Sequence, residues 1–210
     1  MTGQEKNELP IAGVDFPDAK QLGDIASILR DLQTVVEMCK RVAALLESKS
    51  QDHTLIDALW SMSLVRYVRC FTSGKRYGLK VDELFKDLKG DPIGAHQFYK
   101  NMRDKHVAHS VNPYEQMHVG LILSPPDSEK QEVVGVSILH GTYLCPQIDG
   151  VKQLGALAEV VLHHVRKVGK EYQDLVLKKG KKLPIGDLYE QAQSKFVAPS
   201  PDLAGKGRNI

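Results

Sequence analysis

Two stretches of this chain place apolar residues three and four positions apart over 25 residues each, and nothing else in the sequence constrains the fold as much. In the first, Leu22, Ile25, Leu29, Leu32, Val36, Cys39, Ala43 and Leu46 form one seam; in the second, Val151, Leu154, Ala158, Val161, Val165, Val168, Tyr172 and Leu175 do the same. Alternate steps of three and four return to one side of an α-helix, and an apolar stripe of that length must be covered by other elements. The spacing predicts a first helix from Pro17 to about Ser48, broken by Ser48-Lys49-Ser50-Gln51-Asp52. It predicts a last long helix ended by Gly180 and Pro184, with a short amphipathic segment at Ile185–Phe196.

Between these seams, His53–Thr72 is apolar nearly all round, as in a helix buried between neighbours, and Ser73-Gly74 ends it. A short helix at Val81–Leu88 is stopped by Gly90. Asp91-Pro92 then opens a fourth helix through HQFYKNMRDKHVAH, with Pro92 suited to its first turn. Asn112-Pro113 stops it, because the residue before a proline disfavours helical dihedrals. Met117, Val119, Leu121 and Leu123 alternate, as do Val134, Val136 and Ile138 beyond a Pro125-Pro126-Asp127 loop. That pattern predicts a β-hairpin with one face packed on helices. The expected fold class is mainly α, an up-and-down helical bundle with an inserted β-hairpin. The expected organisation is a flexible arm at 1–14, a single helical domain over 15–196 with the hairpin near 116–143, and a flexible tail at 197–210.

Composition narrows the function classes. With 210 residues, 42% of them hydrophobic and 26% charged, the chain is large enough to bury a core, and wholesale disorder is excluded. Its net charge of +2, from 28 basic and 26 acidic side chains, excludes a polycationic coat for nucleic acid but not a local basic site. Cys39, Cys70 and Cys145 are sparse, odd in number and far apart, which fits neither a disulfide framework nor a zinc ribbon and points to a reducing cytoplasm. The first residues, MTGQEKNELPIAG, lack the apolar core of a signal peptide, and no apolar run suits a membrane span. Phosphate-binding G-x-x-x-x-G-K-[ST] loops, G-x-S-x-G elbows, H-E-x-x-H helices and calcium loops do not occur.

The densest group of chemically capable side chains is Asn101-Met102-Arg103-Asp104-Lys105-His106-Val107-Ala108-His109-Ser110. This segment resembles the signature of the HEPN superfamily, an Arg followed by a polar residue and then a His after four to six intervening positions: here Arg103, Asp104 and His109. The wording RDKHVAHS is similar to the abortive-infection-type branch of that superfamily. The resemblance implies a metal-independent endoribonuclease without a cofactor, acting as a toxin or phage-defence effector. It also implies a homodimer in which two motifs form one composite cleft on an RNA substrate, with an antitoxin or other regulatory partner possible. Toxins of this superfamily can carry a Tyr two residues after the His, where a partner nucleotidyltransferase modifies them; that position is Val111 here, and the nearest Tyr is Tyr114.

The chemistry suits the residues. Cleavage of RNA by its own 2′-hydroxyl needs a proton acceptor, a proton donor and positive charge on the phosphorane. His109 would serve as acid or base, Arg103 would clamp the phosphate with its fork of donors, and Asp104 would orient one of them. On a regular helix, residues six apart differ by about 120° in direction and about 9 Å in rise. Arg103 and His109 therefore meet only if the final turn departs from α geometry or if two copies supply them across a two-fold axis. The alternatives are a non-catalytic HEPN-like module for dimerisation and RNA or protein binding, or a plain polar helix end in which these residues cap and pair.

Further basic residues are candidates for RNA contact: Lys105 and His106 beside the motif, and Arg66, Arg69, Lys75 and Arg76 near Tyr67 and Tyr77, where phosphate contact and base stacking would combine. A second cluster, Arg166, Lys167, Lys170, Lys178, Lys179, Lys181 and Lys182, reads more simply as a solvated helix end. His163 and His164 diverge by about 100° on a helix, so a metal site using both is not expected.

Overall fold

A computed structural model describes residues 9–72, 77–109, 115–142, 147–192 and 200–202. The described residues are mainly helical, with one two-stranded antiparallel sheet. The elements are α1 (Pro17–Glu47), α2 (His53–Arg69), α3 (Val81–Phe85), α4 (Pro92–Met102) continued by a π-turn (Arg103–Val107), β1 (Glu115–Leu123), β2 (Val133–Thr142), α5 (Ile148–Gly180) and α6 (Ile185–Gln191). The expected helix boundaries agree closely at α1 and α2 and at the end of α5. The part of the last segment from 193 to 196, like Ser73-Gly74 and Asn112-Pro113, lies outside the described residues.

The chain divides into two compact units, Met1–Ile28 with Val165–Ile210, and Leu29–His164. In the first, Ile25, Ile28 and Val165 are buried. Lys179 pairs with Asp18, and its ammonium lies 5.8 Å from the centre of the Phe16 ring.

The second unit holds most of the core. Leu32, Val35, Val36, Cys39, Val42 and Ala43 of α1 are buried, two adjacent rows rather than one narrow seam. A stripe that wide lets a helix pack against more than one neighbour. On α2, Ile56, Trp60, Leu64, Tyr67 and Val68 are buried, and on α5 Val151, Leu154, Ala158 and Val161. Each such Val, Leu or Ile side chain contributes about 1.5–3 kcal/mol when fully buried. Tyr99 of α4 is fully buried, lies edge-on to Trp60 at 6.0 Å, and its one hydroxyl proton has two acceptors within reach, the Gly150 carbonyl (2.7 Å) and Gln153 Oε1 (2.8 Å), tying α4 to α5. The Cβ that Gly155 lacks would stand 3.3 Å from Cys39 Cβ, so α1 and α5 approach closely there. α2 starts on Asp52, whose carboxylate accepts from the Leu55 N–H at 3.0 Å, the standard use of an aspartate at a helix N-cap.

One expectation is corrected. The hairpin pairs Val119 with Ile138 and Leu121 with Val136, as alternation predicts, with an irregularity at Ile122–Leu123. Its apolar face does not pack on helices: Met117, Val119, Leu121, Leu123, Val134, Val136 and Ile138 are all exposed. Alternation shows that one face is apolar; it carries no information about what covers that face. No helix among the described residues is long and apolar enough to cross a membrane.

Candidate active site

The motif is placed by α4. Asp91 caps this helix, accepting from the Gly94 N–H at 2.8 Å, and Pro92 occupies its first turn. The helix is regular to Met102, which is buried, and then widens. At the end of the Arg103–Val107 turn the Ala108 N–H donates to the Arg103 carbonyl at 2.9 Å, five residues back instead of four. The segment RDKHV contains neither Pro nor Gly, so no chain breaker imposes the widening. His109 follows two residues past the turn, after Ala108, and is exposed. The end of the helix therefore departs from α geometry within one chain, between the two motif residues.

Arg103 and Asp104 are half-buried and joined: the guanidinium donates to Asp104 Oδ1 at 2.7 Å. Lys100 donates to the other carboxylate oxygen at 2.6 Å. These two hydrogen bonds, Lys100's first, hold the Asp104 carboxyl below the usual carboxylate range. Asp104 thus engages one of the five N–H groups of Arg103 and holds the guanidinium against this turn. Lys105 is exposed and His106 half-buried on the same turn.

The basic residues of α2 have another task. Asp31 of α1 has a side chain only 3% exposed, and it accepts from Arg66 at 3.0 Å and from Arg69 Nε at 2.6 Å, with a second Arg69 nitrogen closing a bidentate pair. The hydrogen bond to Asp31 is the main cause that raises the Arg69 pKa above its ordinary value. Arg66 and Arg69 therefore lock α2 to α1 through a buried carboxylate. Tyr67 is fully buried, so it cannot stack on a base, and burial raises its hydroxyl's pKa. Lys75 and Arg76, like Ser110, Val111 and Tyr114, lie outside the described residues. On α5, Lys170 pairs with Asp174 one turn on, at 3.1 Å, as on an ordinary solvated face.

The sequence reading did not single out His96 or Lys100. His96 Nδ1 lies 3.1 Å from the Tyr67 hydroxyl, and the Phe71 ring stands edge-on to the imidazole at 4.5 Å. Burial, and secondarily the Lys100 ammonium, push the His96 pKa down. Val68, Phe71 and Ile93 with His96, Gln97 and Lys100 line a cleft of about 530 Å³, and Lys100 connects it to Asp104. The available signal was spacing: His96, Lys100 and Asp104 fall four apart, which stacks them along one side of a helix. Among the described residues, no three His, Cys, Asp or Glu side chains are grouped as metal ligands would be.

Comparison with protein-family models, with curated proteins and with solved structures finds no match to this chain.

Proposed function

We propose that the protein is a HEPN-like endoribonuclease built on an up-and-down helical bundle, with Arg103 and His109 acting on the scissile phosphate of RNA. The observation that carries this reading is the π-turn lodged between the two motif residues. Such turns are rare and recur at functional sites. Here the widened turn begins at Arg103, whose guanidinium is hydrogen-bonded to Asp104, and His109 stands exposed to solvent two residues past its end.

In this mechanism the 2′-hydroxyl attacks the adjacent phosphorus and the P–O5′ bond breaks. The products are a 2′,3′-cyclic phosphate and a free 5′-hydroxyl. One His109 takes the proton from the 2′-oxygen, and the same residue of a second copy gives one to the departing 5′-oxygen. Arg103 holds the phosphorane oxygens, and Asp104 positions Arg103. Lys105 and His106 would add phosphate contacts beside the cleft. A growth-arresting toxin or phage-defence effector is the role such an activity supports, and a regulatory partner would silence it by covering the motif.

The test is cleavage of end-labelled RNA in EDTA by the purified chain. Wild type is expected to give cyclic-phosphate and 5′-hydroxyl ends. His109→Ala is expected to lose about 10²–10⁴-fold in rate, and Arg103→Ala about 10²–10³-fold. Substituting the 2′-hydroxyl by hydrogen at the cleaved position should abolish product. The second reading, a non-catalytic binding module, draws on a specific observation: Asp104 already partners both Lys100 and Arg103, as at a plain ion-paired helix end. RNA left intact by wild type but retained on a filter in an Arg103-dependent manner would establish that reading instead.

A further inference from the structure

The hairpin carries the largest unexplained feature of the molecule. Met117, Val119, Leu121 and Leu123 on β1 and Val136 and Ile138 on β2 share one face, and each is 63% to 72% exposed. Together these six side chains present roughly 700 Å² of apolar surface, above the ~300–600 Å² of the largest patch on an ordinary monomer. A two-stranded hairpin without a covering layer is at best marginally stable in water.

We propose that this face is the interface with a second copy of the chain, the two hairpins stacking face to face across a two-fold axis into a two-layer, four-stranded sandwich. Three observations select this occupant. The area matches: about 700 Å² from each copy is close to the ~800 Å² per partner of a standard interface. The six side chains carry no charge, and the polar residue that the register adds to this face, His140 opposite Met117, stands at its end away from the loop, so the body of the face is complementary to itself, as an isologous contact requires. The loop end carries Asp127, Glu129 and Glu132 against Lys130 alone, and that acidic tip disfavours an anionic lipid surface as the cover. Pairing strand edges instead would leave the apolar face in water, so stacking is the arrangement that removes the anomaly. Two sheets of the same hand pack with strands within about 30° and about 10 Å apart, which interdigitates these side chains. This inference does not depend on the ribonuclease reading.

Sedimentation velocity of the full chain tests it. Wild type is expected to be a dimer at micromolar concentration. The double variant Val119→Glu/Ile138→Glu, a directly opposed pair on the apolar face, is expected to weaken association at least 100-fold. His118→Glu/Ser137→Glu, on the opposite face, is expected to leave it unchanged. Helical circular dichroism checks that the variants keep their helices. Hydrogen exchange at residues 117–123 and 134–140 should slow as protein concentration rises. A monomeric wild type, a dimer indifferent to the Glu pair, or hairpin protection independent of concentration would each overturn the proposal.

Discussion

Replacing Asp31 by alanine is expected to destabilise the unit Leu29–His164 by about 3 kcal/mol. The figure follows from its setting. The carboxylate is almost wholly buried and accepts three hydrogen bonds from two guanidinium groups. Removing one partner of a buried ion pair costs about 3–5 kcal/mol, because the other charge is left without compensation. The lower end applies here, since Arg66 and Arg69 are 29% and 39% exposed and regain water. The chain's single tryptophan, Trp60, is buried on α2, two turns before Arg66 and Arg69, so its fluorescence reports this unit. With a urea m-value of about 2 kcal/mol/M, the midpoint should fall by about 1.5 M. Asp31→Asn keeps one acceptor oxygen and should cost about half as much. Arg69→Ala loses the bidentate pair and should cost about 2 kcal/mol, with a coupling to Asp31 of at least about 1 kcal/mol in a double-mutant cycle. A loss below about 1 kcal/mol for Asp31→Ala, or additive single effects, would refute the argument. The same variants separate structure from RNA contact: if Arg69→Ala at a temperature where it is folded weakened RNA binding, Arg69 would serve the nucleic acid as well as Asp31.

Three further outcomes follow from local geometry. His96 has a folded pKa below its ordinary value, so the unfolded chain takes up the proton first; stability should fall as pH drops through the ordinary histidine range toward the lowered folded value, by at most about 1.4 kcal/mol per pH unit, and His96→Gln should flatten urea midpoints measured at pH 7.5, 6.5 and 5.5. Asp91→Ala removes the cap on the helix that carries the motif and should cost about 1 kcal/mol in the same unfolding assay. Lys49, just past the end of α1, has φ +52°, a conformation glycine adopts without strain, so Lys49→Gly should add up to about 1 kcal/mol of stability, which raises the urea midpoint by up to about 0.5 M.

The long helices were legible because burial on a helix repeats with its pitch: Ile25, Leu32 and Cys39 on α1 and Leu154, Ala158 and Val161 on α5 occupy the positions that spacing assigns. Three features were not legible, each for a different physical reason. Asp31 sits on the buried side of α1, yet its partners lie 35 and 38 residues away, and spacing within one helix does not reveal a contact made between two. Read from α2 alone, Arg66 and Arg69 are free cations beside a tyrosine; read with Asp31 they are the two halves of a clamp. The π-turn at Arg103–Val107 leaves no mark in a segment without Pro or Gly, because one residue of excess in a turn does not disturb apolar spacing where the residues are polar. The hairpin was found by its alternation, and its cover was misassigned by the same alternation, since a period of two shows which side chains share a face and not what meets them. The motif and the exposed face therefore differ in what would settle them. Arg103 and His109 are distinguished by chemistry that a single substitution removes, whereas Val119 and Ile138 are distinguished only by the water they must lose. A dimer that forms through the hairpin but cuts no RNA would therefore refute the cleavage and leave the association standing, whereas a strictly monomeric chain would remove both, because the mechanism takes its proton donor from a second copy.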